Sequence, residues 1–249
     1  MGPDGGLSRR SGRRTVSAYA QHSRTRRDVL VTVVALALLL AWEALGLDLT
    51  LAGWFADAAG FAARDAWWSR HLLHDGGRWL AAGVLLAATI AASMGDKGQA
   101  MPRRKRLAWL LAVLAALVLV PALKRFSQSS CPWDLLAFGG SVPYVPHWML
   151  AAIDGGPGHC FPSGHAVAAF AFLPLYFQWR VQRPVLARGI LTAVLLAGAL
   201  FGWAQLARGA HFPSHTLWSA WLCWVLGCVA ARILERRYAA MAGSGSSAR

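Results

Sequence analysis

Charged residues are scarce in this sequence, and acidic residues are the scarcest. Only 14% of the 249 residues are charged, and 11 Asp and Glu stand against 25 Lys and Arg. Soluble domains usually carry about 25% charged residues, so this composition, with 56% hydrophobic residues, excludes an ordinary soluble domain. The apolar stretches also lack the alternation that marks half-buried strands. No nucleic-acid-binding motif accompanies the basic clusters, so the net charge of +14 does not indicate nucleic acid as a partner.

Long apolar stretches are what the sequence has in abundance. About 20 apolar residues cross the hydrocarbon core as a helix, and a helix satisfies its own backbone polar groups there. We predict an all-α, polytopic membrane protein with about six transmembrane helices, its membrane domain at 29–234 between disordered tails at 1–28 and 235–249. No small-residue cleavage site follows the first stretch, which indicates a retained helix. The predicted spans are approximately 29–47, 79–95, 107–123, 164–179, 189–206 and 214–231.

The basic residues are distributed unequally among the segments between these spans. Most of them fall in the N-terminal tail, the 96–106 and 180–188 loops and the C-terminal segment. Cytoplasmic loops carry the excess of Lys and Arg, so both termini are predicted to be cytoplasmic in a bacterial inner membrane. All histidines except His22 then fall on the outer side, and we expect the active site to face the periplasm. The aromatic residues of the 48–77 loop predict an interfacial segment along the headgroups.

Three segments at the predicted outer helix ends carry residues suited to phosphate chemistry. They are 124–132, 161–165 and 205–215. Ser163 is predicted to cap the helix that follows it, and a helix N-terminus binds anions through its free N–H groups. Lys124 and Arg208 would neutralise the same anion beside His165 and His211. Two histidines, two cations and a helix N-terminus suit phosphoryl transfer, in which catalysis is mainly positioning and charge stabilisation.

The order and spacing of these segments resemble the type 2 phosphatidic acid phosphatase (PAP2) family, whose pattern is K-x6-R-P, then P-S-G-H, then S-R-x5-H-x3-D. The resemblance runs from about residue 107 to 231 and implies a helical membrane core and a lipid phosphatase without a metal or other cofactor. The matching positions imply that Lys124, Ser163 and Gly164 bind phosphate. They also imply that His165 protonates the leaving oxygen and that His211 is the nucleophile, forming a phosphohistidine that water opens.

Three positions depart from the family pattern. Cys131 and Gln205 stand where the family has Arg, and His215 stands where it has the Asp that orients the nucleophile. Gln205 remains a phosphate-binding candidate, and Arg208, three residues later on the same helical face, is predicted to supply the missing charge. A neutral His215 is expected to accept a hydrogen bond from His211, without the fixed negative charge that would stabilise an imidazolium.

Two cysteines of the longest predicted outer loop, 124–162, adjoin these motifs. Cys131 lies in the first segment, and Cys160 lies two residues before Pro162. Cysteine pairs in an oxidising compartment tend to be bridged. We therefore predict a disulfide that ties the first segment to the second and closes a loop of roughly 30 residues.

The residues leave three functions open. They fit a phosphatase acting on a lipid phosphate or polyprenyl pyrophosphate, a lipid phosphotransferase of the same fold, and a catalytically weakened, non-enzymatic membrane protein. The expected partners are the lipid substrate and the bilayer, and nothing indicates an oligomeric state. His71 and His74 are predicted to cap a helix or lie at the interface, and His147 and His159 to pack in the loop. Glu43, near the outer end of the first span, is predicted to snorkel or to pair with a loop.

Overall fold

α-Helices make up about two thirds of the computed structural model, which describes residues 5–57, 59–149 and 152–244. The helices are α1 (Gly5–Ala44), α2 (Leu47–Gly53), α3 (Gly76–Ser93), α4 (Arg103–Phe126), α5 (Val167–Phe170), α6 (Leu173–Trp179), α7 (Pro184–Ala207) and α8 (Pro213–Ser244). Strands β1 (Ala56–Asp57) and β2 (Gly60–Phe61) form a small antiparallel hairpin. A π-helical turn, Trp68–Asp75, leads into α3, and 3-10 turns cover Pro132–Asp134 and Leu136–Phe138.

Four helices in the described part of the chain are long and apolar enough to cross a membrane. They are Trp68–Ser93, Arg103–Phe126, Pro184–Ala207 and Pro213–Tyr238. Gln21–Ala44 and Leu47–Gly53 make a fifth if this pair, bent by 68°, is one span, and Val167–Trp179 is a shorter apolar helix. The chain is thus an all-α, multi-pass membrane protein, as predicted. By length and composition, the six predicted spans appear as four or five, together with one short helix.

The predicted span 164–179 is not one continuous helix. Helical structure begins at Val167, is interrupted by a turn at residues 171–172 and resumes at Leu173. Pro174 accounts for the interruption, because proline has no N–H to donate to the carbonyl of Phe170 and its ring crowds that carbonyl. The sequence pattern showed the apolar stretch correctly but did not reveal where it breaks.

The two short helices α5 and α6 lie in the centre of the bundle, in contact with α4, α7 and α8. Glycines in the neighbouring helices make room for them. A Cβ at Gly198 of α7 would overlap the ring of Phe170, and one at Gly227 of α8 would lie 2.5 Å from Phe177. Small residues allow helices to approach closely where lipid supplies no hydrophobic driving force between them, so these glycines set the helix spacing.

An ion-pair network ties α1, α6 and α8 together at the end of the bundle opposite the three motif segments. Arg180 Nη1, just after α6, donates to both carboxylate oxygens of Asp28 at 2.7 Å. Its Nη2 lies 3.6 Å from Glu235 of α8. Asp28 belongs to α1, which begins at Gly5, while α8 runs to Ser244. Much of both tails that the sequence predicted as disordered is therefore helical here, since lengthening an existing helix needs no new nucleus.

The 48–77 segment is only partly the interfacial strip that its aromatic residues predict. Trp54 and Trp67 are exposed, but Phe61 is 6% exposed. Its ring packs edge-on against Phe138, with ring centroids 5.3 Å apart. Phe61 also lies against Gly209, between α7 and α8. The hairpin that carries Phe61 is therefore packed over the end of the bundle rather than lying free along a lipid surface.

Candidate active site

The three motif segments meet at one end of the bundle. Lys124, in the last turn of α4, lies over Gly164, with Cδ 3.5 Å and Nζ 3.8 Å from the position that a Cβ on Gly164 would occupy. The Ser163 N–H donates to the carbonyl of His215 at 3.0 Å. Ser219 Oγ–H donates to the Ser163 carbonyl at 2.8 Å. The Lys124 contact joins segment one to segment two. The first hydrogen bond joins segment two to segment three, and the second joins segment two to α8.

Ser163 and its neighbours present free N–H groups beside this lysine. Ser163 is fully buried, and its Oγ accepts only a long hydrogen bond, 3.5 Å, from the Ala166 N–H. Within the described residues, the N–H groups of Gly164 and His165 donate to no protein acceptor. Capping by Ser163 is weaker than predicted because α5 starts later, at Val167. The unpaired N–H groups and the Lys124 ammonium together form a candidate anion-binding site.

His211, in the third segment, is buried and only 2% exposed. Its Nδ1–H donates to the carbonyl of Cys160 at 2.8 Å, so the neutral ring carries its free lone pair on Nε2. The N–H groups of Ala210 and His211 both reach the Gln205 carbonyl, at 2.8 and 3.3 Å, and close the end of α7. Burial, and next the Lys124 charge, hold the pKa of His211 well below its usual value. A neutral imidazole is the form that acts as a nucleophile.

His215 does not make the hydrogen bond with His211 that the sequence suggested. The Nδ1 of His211 is bonded to the Cys160 carbonyl instead, and the two imidazole centroids are 5.9 Å apart. His215 is buried, and its Nδ1 has no hydrogen-bond partner among the described residues. Its ring packs at right angles to the rings of His147 and Phe161. The structure thus places His215 beside the nucleophile candidate but not on its Nδ1.

His165 packs against a residue that sequence reasoning assigned to helix capping. Its ring centroid lies 3.8 Å from that of His74, which in turn lies 2.9 Å from the Asp75 carboxylate through Nδ1. Burial, followed by the charges of His74, Lys124 and Arg208, lowers the pKa of His165 to about 3. His165 is therefore neutral at neutral pH, and a bound phosphate dianion would raise its pKa.

The two candidates that stand in for the missing arginines also lie near His165. Gln205 is buried and lines a small cavity together with His74, Arg78 and His165. Arg208 is 9% exposed, and its Nε–H donates to the carbonyl of Arg64 at 3.0 Å. Arg78 lines the same small cavity as His165, and the charges of Arg208 and Arg78 both contribute to lowering the pKa of His165. Arg78 was not singled out from the sequence.

The predicted disulfide is present. Cys131 and Cys160 are bridged, with Cα atoms 5.2 Å apart across 29 positions of sequence. Beside the bridge, the N–H and Oγ–H of Ser130 donate to the buried carboxylate of Asp154 at 2.7 and 2.9 Å. The Cys160 N–H donates to the Ser129 carbonyl at 3.0 Å. The first segment is therefore joined to the loop before the second segment by one covalent and several hydrogen bonds.

A second buried carboxylate supports the site from α1. Glu43 Oε1 lies 2.8 Å from Nε2 of His147 and accepts a hydrogen bond from the Trp218 indole at 2.6 Å. Glu43 thus pairs with a loop, one of the two roles predicted for it, and His147 packs on Phe161 at 3.9 Å between ring centroids. His159 is exposed and lies outside this group.

Asp48 is a residue that the sequence analysis did not weigh. It is buried at the start of α2 and accepts hydrogen bonds from the Trp42 indole at 2.9 Å and from the Ser214 N–H at 3.0 Å. Its carboxylate also accepts from the Ser214 hydroxyl. A carboxylate at the N-terminus of a helix satisfies the free N–H groups and complements the dipole. Asp48 therefore fixes the start of α8, the helix that carries His215.

Comparison with known proteins identifies matches to one family. The model of the PAP2 superfamily matches residues 105–239, more than half of the chain. Phosphatidylglycerophosphatase B of Haemophilus influenzae is 24% identical over 96 residues, which cover 37% of this chain and 40% of that protein. The match therefore spans less than half the length of this curated relative. A transmembrane PAP2 type phosphatidylglycerolphosphate phosphatase from Bacillus subtilis has a similar structure, with a TM-score of 0.52 at 18% identity over 84% of this chain and 96% of that one; this likeness shows a shared fold.

Proposed function

The chain belongs to the PAP2 superfamily, and from that premise we propose that it is a phosphatase that hydrolyses a lipid phosphate or a polyprenyl pyrophosphate through a phosphohistidine on His211. The observation that carries this proposal is the contact of His211 Nδ1 with the Cys160 carbonyl oxygen at 2.8 Å. The Nδ1–H of His211 is committed to the Cys160 carbonyl, so Nε2 is free to attack. Lys124 lies beside the free N–H groups of Gly164 and His165, and together these groups are able to hold a phosphate.

The proposed reaction has two steps. In the first, Nε2 of His211 bonds to phosphorus, the bond from phosphorus to the leaving oxygen breaks, and His165 gives that oxygen a proton. In the second, water attacks the phosphohistidine, His165 takes its proton, and phosphate and neutral His211 are released. Lys124, Arg208 and the N–H groups stabilise the charge on the transferring phosphoryl oxygens. The phosphate dianion raises the pKa of His165 on binding, which prepares His165 as the acid.

An apolar cavity beside the site supports a lipid as the substrate. It has a volume of about 260 Å³ and adjoins the end of α4 next to Lys124. Its lining includes the apolar side chains of Leu123, Phe126, Met149 and Phe161. A water-soluble phosphate ester would not need such a wall, whereas the apolar part of a lipid gains from burial there.

We place the site on the periplasmic face of a bacterial inner membrane, with both termini in the cytoplasm. The basis is the excess of Lys and Arg in the termini and in the loops at the opposite end of the bundle. Alkaline phosphatase fused at Gly140 should be active, and the same reporter fused after Ala240 should be inactive. An active fusion after Ala240 would reverse this topology.

The direct test is phosphate release by purified protein from a panel of phosphatidylglycerol phosphate, phosphatidic acid and undecaprenyl pyrophosphate in detergent micelles. His211→Ala should abolish turnover. His22→Ala is the matched control, because His22 is exposed on the N-terminal half of α1, away from the site, and it should retain wild-type activity. Acid-labile, base-stable phosphate should be trapped on the wild-type protein and not on His211→Ala. Turnover by His211→Ala at the wild-type rate would refute the mechanism.

A further inference from the structure

The backbone around Cys160 is held from several sides. The N–H groups of His159 and Cys160 donate to the carbonyls of Ser127 and Ser129 at 2.8 and 3.0 Å. The Cys160 side chain is bridged to Cys131, and Cys160 is completely buried. Its carbonyl oxygen is thereby fixed in the interior of the protein.

The Cys160 carbonyl faces Nδ1 of His211, the nucleophile candidate. His211 Nδ1 lies 2.8 Å from the Cys160 oxygen. His215, which stands at the position of the family's aspartate, lies with its ring centroid 5.9 Å from that of His211. Among the residues that the structure describes, no carboxylate hydrogen-bonds to His211. The His211 ring is therefore oriented by a neutral backbone group, the Cys160 carbonyl.

We propose that the Cys160 carbonyl, held in place by the Cys131–Cys160 disulfide, positions His211 for attack in place of the carboxylate that the family pattern puts at position 215. This inference rests on the proposed nucleophilic role of His211. The carbonyl can only accept a hydrogen bond and has no proton to give, so it fixes both the ring orientation and the Nδ1–H tautomer.

With the Cys160 carbonyl as its partner, His211 develops a positive charge on its ring in the first step. As Nε2 bonds to phosphorus and the leaving oxygen takes its proton from His165, the imidazole of His211 becomes positively charged. Nδ1 keeps its proton, and the hydrogen bond to the Cys160 carbonyl strengthens because its donor is now charged. A carbonyl carries no net charge, so it stabilises the cationic ring less than a carboxylate would.

The bridge closes a ring of contacts around His211. Trp133, two residues after Cys131, donates its backbone N–H to the Gly209 carbonyl at 2.9 Å. Gly209 precedes His211 by two residues, and His211 bonds to Cys160. The two disulfide-linked segments therefore both contact the nucleophile segment, at Gly209 through Trp133 and at His211 through Cys160. Without the bridge, the Cys160 carbonyl is positioned only by backbone hydrogen bonds.

The test compares the wild type with Cys131→Ser and with Cys131→Ala/Cys160→Ala, using phosphate release from a lipid phosphate. Loss of the bridge should lower kcat on the order of 10²-fold, because a misplacement of about 1 Å at a reacting group has that effect. KM should change little, because Lys124 and Gly164 are not directly bridged. Cys228→Ser removes a free cysteine of α8 and is the control, with unchanged kcat.

A spectroscopic readout separates positioning from a merely structural role. In protein carrying ¹⁵N-histidine, the His211 signal, identified by its loss in His211→Gln, should show a protonated Nδ1 in the wild type. Bridge-free variants, and folded wild type treated with dithiothreitol, should show a growing Nε2–H tautomer. Unchanged kcat and an unchanged His211 tautomer without the bridge would overturn this inference. Failure of the wild type to release phosphate from any lipid phosphate would instead refute the proposed function.

Discussion

Replacing Gly209 with alanine tests how the end of α7 holds the candidate site. Gly209 has φ of +71°, a conformation that costs an L-residue about 1–2 kcal/mol. A Cβ there would lie within 2.6 Å of three ring carbons of Phe61, which is buried and packed on Phe138. Overpacking of this kind typically costs about 1–3 kcal/mol. The expected loss of stability is therefore about 2–5 kcal/mol.

The same change should affect activity more than a loss of stability explains. Gly209 lies between Arg208 and His211, and its carbonyl accepts the Trp133 N–H. The Cβ can be accommodated only by moving this segment or Phe61. A shift of about 1 Å in His211 would lower kcat on the order of 10²-fold. We expect this decrease at temperatures where the variant is still fully folded.

The assay is thermal unfolding in detergent together with phosphate release from a lipid phosphate. The unfolding midpoint should fall by about 10 °C, from about 2–4 °C per kcal/mol for a chain of this size. Gly83→Ala is the matched control, since a Cβ at Gly83 would meet no atom within 4 Å, and it should be neutral or slightly stabilising. In Gly209→Ala/Phe61→Ala the overlap is gone, so the two losses should be less than additive. A Gly209→Ala midpoint equal to the wild type would refute this reasoning.

Three further predictions follow from charges in the structure. Arg208→Ala and Lys124→Ala should reduce kcat/KM to a similar extent, because the charges of both residues lower the pKa of His165 and both are proposed to bind the substrate phosphate. In the folded chain the pKa of His165 is lowered to about 3, whereas in the unfolded chain it has the ordinary histidine value of about 6.5. Below a pH of about 6.5, the unfolded chain therefore binds more protons than the folded chain. The thermal midpoint should therefore fall as the pH is lowered from 7 to 4. Asp28→Asn removes the closer of the two carboxylates paired with the buried Arg180 and should destabilise the fold by about 3 kcal/mol.

Each of these predictions has a result that would contradict it. Full activity of Arg208→Ala would show that this guanidinium does not replace the charge missing at Gln205. For the pH dependence, the comparison variant is His165→Gln, in which the thermal midpoint should fall less between pH 7 and pH 4. A fall as large as that of the wild type would show that other groups cause it. Asp65→Asn is the control for Asp28→Asn, because the pair of Asp65 with Arg70 is exposed and 4.0 Å long. Exposed pairs contribute little, so equal effects of the two changes would refute the buried-pair argument.

Much of the fold was predictable because membrane insertion depends on local composition. Apolar stretches of sufficient length appear directly in the sequence, and four of them are long helices in the structure. The interruption before Leu173 was less visible, although Pro174 marks it. The tails 1–28 and 235–249 were predicted as disordered because their composition is rich in Gly, Ser and Arg. In the structure, α1 begins at Gly5 and α8 ends at Ser244.

The candidate site was predictable where spacing along the chain carries the information. The segments with Lys124, Ser163 and His211 were identified from motif order, and the structure brings them together. His74 was assigned to capping because its nearest sequence neighbours belong to a helix start, but its ring lies on His165. No spacing rule connects residues 74 and 165, since the approach of α3 to α5 depends on the packing of the whole bundle.

The sequence by itself determined that this chain crosses a membrane, that it carries three segments resembling those of one phosphatase family, and that two cysteines adjoin them. These properties depend on the hydropathy of each stretch and on the order of the motifs along the sequence, and neither depends on the tertiary structure. Only the tertiary structure decided that the Nδ1 of His211 faces the carbonyl of Cys160 rather than the side chain of His215. That contact joins residues 51 positions apart, and its geometry follows from the packing of the helix ends and from the disulfide between them.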